Sequence, residues 1–232
     1  MVYFEFQRMG GTVKSALLFG AVAFALSGCL GSSSSSGGVG GGVGTGGGDR
    51  TAGNLQQASQ LASRGLVEGV FDGPDGPRIR SLLEDVVDAA VAPAPEASAL
   101  AGTASYSGDF VMVEVNDDDL SLLGDFAMTV NFDNGSLTGN LGNQVIVDDF
   151  GDRNIVTGSA TINGTVVGNN MNATLAGTYG AGSDVAQVNG NMSGSFVGTG
   201  AETVAGGIAA TVTSPGERDV FEGVFSGNRL AP

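Results

Sequence analysis

One cysteine and two groups of aspartates are the residues of this chain whose types could do chemistry. The thiol is Cys29, and the acidic groups are Asp117, Asp118 and Asp119, then Asp148, Asp149 and Asp152. The sequence contains no histidine, which removes the commonest general base, the Ser-His-Asp arrangement and most zinc sites. Calcium binding or paired acid–base chemistry would need the aspartates, but neither group has the EF-hand spacing. We expect no catalytic residue, no metal site and no cofactor.

Cys29 lies directly after an apolar run that has the order of a secretory signal peptide. A positive charge at Lys14 precedes ALLFGAVAFAL, and this run of about a dozen residues is shorter than the roughly 20 that a membrane-spanning helix needs. Leu26, Ser27, Gly28 and Cys29 form LSGC, which resembles the lipobox of bacterial lipoproteins. The resemblance implies that Cys29 carries a diacylglycerol, with palmitate-type chains, and becomes the mature N-terminus after cleavage. The alternative is an unmodified thiol beside an ordinary signal peptide.

The sequence predicts four regions. Residues 1–28 form the signal peptide, and residues 29–50 form the lipidated cysteine and a Gly/Ser tether that has too little apolar surface to fold. Residues 51–98 form a short helical region, and residues 99–232 form a β-domain. Leu30 is not the aspartate that bacterial sorting rules associate with the inner membrane. We therefore expect a lipid anchor in the outer membrane of a Gram-negative cell. The protein could lie on either the periplasmic side or the cell surface.

Charge restricts the partners of the chain. The formal net charge is -15, and no lysine follows Lys14. Nucleic-acid binding depends on clustered basic residues that neutralise phosphates. We therefore expect no nucleic acid and no electrostatic docking on anionic lipid, so the membrane contact is the lipid anchor itself.

Two helices are predicted before the β-domain. A weak one covers Thr51–Arg64, and a stronger one follows Pro77, with apolar residues at helical spacing until the segment APAP. The second apolar face is expected to pack on the flank of the following domain rather than on a partner.

Beyond Gly102 the apolar residues alternate with a period of two, which is typical of strands. The pattern predicts eight strands, near 103–115, 124–132, 136–146, 154–167, 170–179, 185–197, 204–213 and 219–228. Eight consecutive strands joined by tight turns favour an all-β fold, an eight-stranded antiparallel up-and-down β-barrel. Glycines within the strands would permit the sharp coiling of a small barrel. A transmembrane barrel is the competitor, but the chain has no tryptophan for aromatic girdles, so a barrel filled by its own side chains is preferred.

The segment GSFVGTGAETVAGGIAAT, Gly194–Thr211, resembles a pattern near the end of the barrel domains of transferrin-binding protein B and its lipoprotein relatives, which include factor H-binding protein and haemophores. In that family an acylated protein uses an eight-stranded barrel to capture a host protein or an iron source. Val197 and Thr199 replace the aromatic and the proline of the family's FYGP segment, so the ligand stays open. The residues that match are interpreted as turn and closure elements: Phe196, Gly198, Ala201, Glu202, Gly206 and Gly207.

Two functions remain open at this point. The first is a binding module whose loops at one barrel mouth, including the acidic segments 116–124 and 147–154, contact a protein or a small nutrient. The second is a structural envelope lipoprotein that acts as a spacer or assembly partner and has no soluble ligand.

Overall fold

The computed structural model describes residues 54–63, 74–115, 120–148, 152–181 and 184–231. The signal peptide, the lipobox, Cys29 and the tether lie outside the described residues, and so do Asp117, Asp118, Asp119 and Asp149.

Within the described residues, nine strands form one antiparallel sheet that closes on itself. They are β1 (Thr103–Glu114), β2 (Leu120–Asn131), β3 (Ser136–Asp148), β4 (Arg153–Ile155), β5 (Thr157–Val167), β6 (Asn170–Ala181), β7 (Asp184–Val197), β8 (Thr203–Ser214) and β9 (Glu217–Arg229). Apart from β4, which pairs only with β3, each strand pairs with the next along the chain, and β9 pairs with β1. The short β4 and the longer β5 pair with successive parts of β3, so together they occupy one strand position. The predicted eight-stranded up-and-down barrel is confirmed.

The connections explain why the chain reverses where it does. Gly135, Gly168 and Gly216 have φ angles of 66°, 61° and 95°, a left-handed conformation that glycine adopts without a steric penalty. They lie in tight turns between consecutive strands. The predicted strand 154–167 is divided into β4 and β5. The start of β2 also differs, since the strand begins at Leu120 rather than near residue 124. Alternation fails there because both faces of the strand are covered: Leu122 belongs to the interior cluster and Leu123 to the cluster beneath the helices.

Glycines occupy inward positions where neighbouring backbones approach closely. A Cβ atom on Gly223 would come closer than 3.0 Å to the carbonyl oxygen of Val111 on β1. Gly194 and Gly206 are direct partners across β7 and β8, and a Cβ on Gly194 would lie 2.9 Å from Cζ of Phe225. The ring of Phe225 therefore fills space beside glycines where no other side chain fits. The structure thus has glycines at positions where a side chain would collide with the neighbouring strand.

We expect Gly223→Ala to lower the free energy of unfolding by about 1–3 kcal/mol, because the added methyl group overpacks the β1–β9 contact. Gly142→Ala is the matched control, since the nearest atom to its Cβ would be 3.8 Å away. We expect this substitution to raise the free energy of unfolding by about 0.4–1 kcal/mol, because it lowers the conformational entropy of the unfolded chain. Urea unfolding followed by circular dichroism measures both. Equal losses for the two variants would contradict the close-approach explanation.

Two helices cover one flank of the barrel, α1 (Leu55–Ser63) and α2 (Gly76–Val91). Pro77 stands in the first turn of α2, where its missing N–H leaves no hydrogen bond unmade. The buried side chains of both helices pack on outward residues of the sheet that include Val111, Ala205 and Val224. The second helix and its packing on the flank are confirmed, and α1 lies within the predicted range 51–64.

One arginine of α2 forms ion pairs with two carboxylates on the sheet. Asp109 on β1 and Asp125 on β2 are direct cross-strand partners, and like charges in this arrangement repel. Arg78 donates hydrogen bonds to both aspartates, with an Nη2 to Asp109 Oδ1 distance of 2.6 Å, and to the Gly124 carbonyl at 3.1 Å. The hydrogen bond to Asp109 raises the pKa of Arg78. The start of α2 is thus held to the barrel by charge.

Arg78→Met leaves the two aspartates facing each other without a cation. We expect the free energy of unfolding to fall by about 1–2 kcal/mol at low ionic strength and by less in high salt, because the pair is partly exposed. Urea unfolding at two salt concentrations tests this. Adding Asp109→Asn with Asp125→Asn to Arg78→Met should recover most of the loss. A triple variant that is no more stable than Arg78→Met would argue against the Arg78 contact.

Candidate ligand-binding surface

The interior of the barrel is filled by its own side chains. Five aromatic residues there are at most 2 % exposed: Tyr106, Phe110, Phe126, Phe196 and Phe225. The rings of Phe126 and Phe225 meet edge to face at a centroid distance of 5.6 Å, and those of Tyr106 and Phe196 lie 5.1 Å apart. Polar residues such as Thr161, Asn163 and Thr174 are exposed on the outside, which is the reverse of the pattern in a membrane barrel. Ligands of this barrel must therefore bind its outer surface or its ends.

The two interior tyrosines have packing roles. Tyr106 donates a hydrogen bond to the Ala201 carbonyl at 2.8 Å, and burial raises its pKa to about 12. Tyr179 accepts a hydrogen bond from Gln144 Nε2 at 3.1 Å, and burial also raises its pKa. Because the relatives include haemophores, a tyrosine could be considered as a ligand of haem iron, but such a tyrosine must lose its proton. Burial favours the neutral phenol of both tyrosines. The geometry gives neither residue a ligating role.

One end of the barrel carries part of the matched family motif. Gly198 and Ala201 have φ angles of 82° and 54° and lie in the connection between β7 and β8. Glu202 folds back over this connection, and its Oε1 accepts a hydrogen bond from the Gly200 N–H at 2.9 Å. Arg229 donates to the Gly200 carbonyl at 2.9 Å. The connection is therefore tied both to itself and to the end of β9.

The other motif residues lie within strands. Phe196 is fully buried near the end of β7, and Gly206 and Gly207 lie inside β8 rather than in a turn. Gly206 faces Gly194 and Phe225 in the sheet, so its small size allows the close contact described above. We interpret these three residues as packing elements of the barrel wall.

The ends of β2 and β3 that border the acidic segments pair with each other at the opposite end of the barrel. The β1–β2 and β3–β4 connections both leave the barrel there, and Leu120, which directly follows Asp119, pairs with Asp148. The Asp152 N–H donates to Asp148 Oδ1 at 2.8 Å, which closes the base of the second connection. The segments are shorter than the sequence predicts, since residues 120–124 and Asp148 belong to strands. We call the residues 115–120 and 148–153 the acidic rim.

Within the described ranges, no group of three or more acidic, cysteine or histidine residues is arranged to hold a metal ion. None of the helices in the same ranges is long and apolar enough to cross a membrane.

Sequence reasoning missed a groove on the outer wall of β6–β9. Its volume is about 360 Å³, and its lining includes Ala176, Asn189, Asn191 and Ala209. The sequence signal for this groove is weak, because it consists only of small residues at outward positions beside longer residues on the next strand. Which residues become neighbours depends on the pairing register, which the sequence does not show. The contact of Arg78 with two aspartates was missed for the same reason.

A closed antiparallel barrel with a filled interior and helices on one flank defines a β-barrel domain. The chain belongs to the family described as the C-lobe and N-lobe beta barrels of Tf-binding protein B, whose model matches residues 99–229.

Among solved structures, the chain is similar to a mutant of the vaccine antigen transferrin-binding protein B from Haemophilus parasuis Hp5. The identity is 16 %, the TM-score is 0.35, and the match covers 60 % of this chain and 29 % of that chain. This chain thus corresponds to under a third of that protein. No curated protein matches the sequence.

Proposed function

We propose that the chain is a lipid-anchored protein of the bacterial envelope whose barrel binds a protein partner on its outer surface. The filled interior is the observation that carries this proposal, because the core positions that would enclose a small nutrient are taken by aromatic and aliphatic side chains. A protein partner needs only an exposed surface, and standard interfaces bury roughly 800 Å² on each side.

Family membership supports binding as the activity. The family takes its name from a protein that binds transferrin, and this chain shares the barrel. Val197 and Thr199 stand where the family's FYGP segment has an aromatic residue and a proline. We therefore propose that this chain binds a protein, and we do not propose transferrin as that protein. We propose no enzymatic role, because the sequence has no histidine and burial favours the neutral form of Tyr106 and Tyr179.

The acidic rim is the part of the surface that we propose for partner contact. Several carboxylates are concentrated on two connections at one end of the barrel, in a chain whose net charge is -15. Such a surface raises the association rate of a positively charged partner. At the other end, the β7–β8 connection is tied down by Glu202 and Arg229, which favours a structural role there.

Anchoring through Cys29 would give the barrel access to that partner. Two or more acyl chains hold a protein stably at a membrane, since each buried methylene contributes about 0.8 kcal/mol. In this proposal residues 29–50 act as the tether, residues 51–98 form the helical flank, and the outer membrane is the site of attachment.

Protease treatment of intact cells tests anchoring and exposure together. We expect the barrel of the natural chain to remain with the membrane fraction and to be removed by protease while a periplasmic marker survives. Cys29→Ala should release the protein from the membrane fraction, because the acyl acceptor is gone. A natural chain that fractionates like the Cys29→Ala variant would refute the lipid anchor. Protection until the envelope is opened would place the barrel in the periplasm and would favour the spacer function.

Charge removal at the acidic rim tests the contact surface. The natural protein is first used to capture a partner from the surrounding fluid. The association rate of that partner is then measured with two triple variants. The rim variant is Asp117→Asn/Asp118→Asn/Asp119→Asn, and the control variant is Glu84→Gln/Asp88→Asn/Glu96→Gln. Both variants lose three negative charges, and the second loses them from exposed sites elsewhere. We expect the rim variant to lower the association rate about tenfold at low salt, with little change in dissociation. Equal effects of both variants, or no dependence on salt, would contradict the proposed surface. Failure to capture any partner would favour the spacer function.

A further inference from the structure

Three asparagines of the barrel are directly followed by glycine: Asn134, Asn163 and Asn189. Such a pair can react with itself, because glycine has no side chain to hinder attack of its backbone nitrogen on the preceding asparagine. All three asparagine side chains are exposed to solvent. Exposure therefore does not distinguish the three pairs, and a difference in their reactivity must come from the backbone around each glycine.

The pair Asn163–Gly164 lies inside β5, where the glycine is part of the hydrogen-bonded ladder. The Val166 N–H donates to the Gly135 carbonyl at 2.8 Å, and hydrogen-bonded pairs alternate with non-bonded pairs along an antiparallel ladder. Counting two residues back, Gly164 forms the next hydrogen-bonded pair, with Leu137 on β3. Its nitrogen can attack Asn163 only after the strand opens locally.

The pair Asn189–Gly190 lies inside β7 and is protected in the same way. The Phe196 N–H donates to the Asn169 carbonyl at 2.7 Å, and the pairing of β6 with β7 continues from there without a bulge. The alternation places Gly190 in a hydrogen-bonded pair with Leu175 on β6. This nitrogen is also engaged as long as the sheet is closed.

The pair Asn134–Gly135 lies in the turn between β2 and β3, outside the ladder. The Gly135 N–H has no hydrogen-bond partner among the described residues. The Ser136 N–H donates to Asn134 Oδ1 at 2.9 Å, which folds the side chain back along the peptide units that follow it. A donor at this oxygen also stabilises the negative charge that develops there when Cγ is attacked. The attacking nitrogen is thus available, and the carbon that it attacks is polarised.

The reaction is an internal acyl transfer followed by hydrolysis. The Gly135 nitrogen forms a bond to Cγ of Asn134, the bond from Cγ to the side-chain nitrogen breaks, and ammonia leaves with the proton that the Gly135 nitrogen has lost. The product is a cyclic imide. Water then opens this ring at one of its two carbonyl carbons. One opening gives aspartate, and the other gives isoaspartate, in which the main chain runs through Cβ and Cγ.

We propose that Asn134 is a self-modification site, which converts to aspartate and isoaspartate in the folded protein while Asn163 and Asn189 are protected. Both products add a negative charge beside Asp133, and isoaspartate also adds one methylene to the backbone of the turn. The turn is at the end of the barrel opposite the acidic rim, since β2 runs from the rim to this turn. The inference rests on the turn and on the strand register, and it is independent of the proposed protein partner.

Ageing of the purified, lipid-free Cys29→Ala chain tests this inference. The folded protein is incubated in mildly alkaline buffer, and peptide mass spectrometry follows the conversion of amide to acid at each pair. We expect conversion at Asn134 to be at least about tenfold faster than at Asn163 or Asn189, because the strand pairs react only from locally opened states. In urea the three rates should become similar, because the ladder is lost. Equal rates in the folded protein, or conversion at Asn134 only after unfolding, would overturn the inference.

Two matched variants identify the product. Asn134→Gln keeps the amide but adds a methylene, which disfavours ring closure, and Asn163→Gln makes the same change at a strand pair. Anion-exchange chromatography of aged, folded samples should show a new acidic species in the parent chain and in Asn163→Gln, but not in Asn134→Gln. An isoaspartate-specific methyltransferase should label the same two samples. An acidic species that forms equally in Asn134→Gln would refute the site. Thermal unfolding of each variant verifies that the barrel is intact.

Discussion

Closing eight strands into a narrow barrel forces neighbouring backbones together, and the rest of the structure depends on how this chain meets that constraint. Inward glycines remove the side chain where strands converge, as Gly223 does beside the carbonyl oxygen of Val111. Aromatic rings then fill the remaining space, as Phe225 does beside Gly194 and Gly206. Because the interior is filled in this way, its side chains leave no space for a ligand inside the described barrel.

The outside of the barrel is divided into regions of different chemistry. One flank is apolar and is covered by α1 and α2, with Arg78 compensating the repulsion between Asp109 and Asp125. Two connections at one end form the acidic rim, and the wall from β5 to β7 is polar but nearly uncharged. Each region is supported by the same closed sheet, which fixes their relative positions.

Much of the fold can be read from local sequence patterns. Alternating apolar residues and turn glycines such as Gly168 predict strands and reversals that the structure confirms, since both signals act between near neighbours in the chain. The start of β2 was predicted too late, because Leu122 and Leu123 point to opposite faces and both are buried. Alternation disappears when a strand is covered on two sides, and the covering helix comes from a distant part of the sequence. Local reasoning has no access to that burial.

The sequence by itself determines the LSGC motif that resembles a lipobox, the strong negative charge and the alternation that yields an eight-stranded barrel, because each of these depends on composition or short spacing. Only the tertiary structure decides that Asp109 and Asp125 share Arg78, that Tyr106 binds the Ala201 carbonyl, and that Asn189 stands between Ala176 and Thr211. These contacts join residues far apart in the chain. Strand register and helix docking set which of them meet, and both are properties of the closed barrel as a whole.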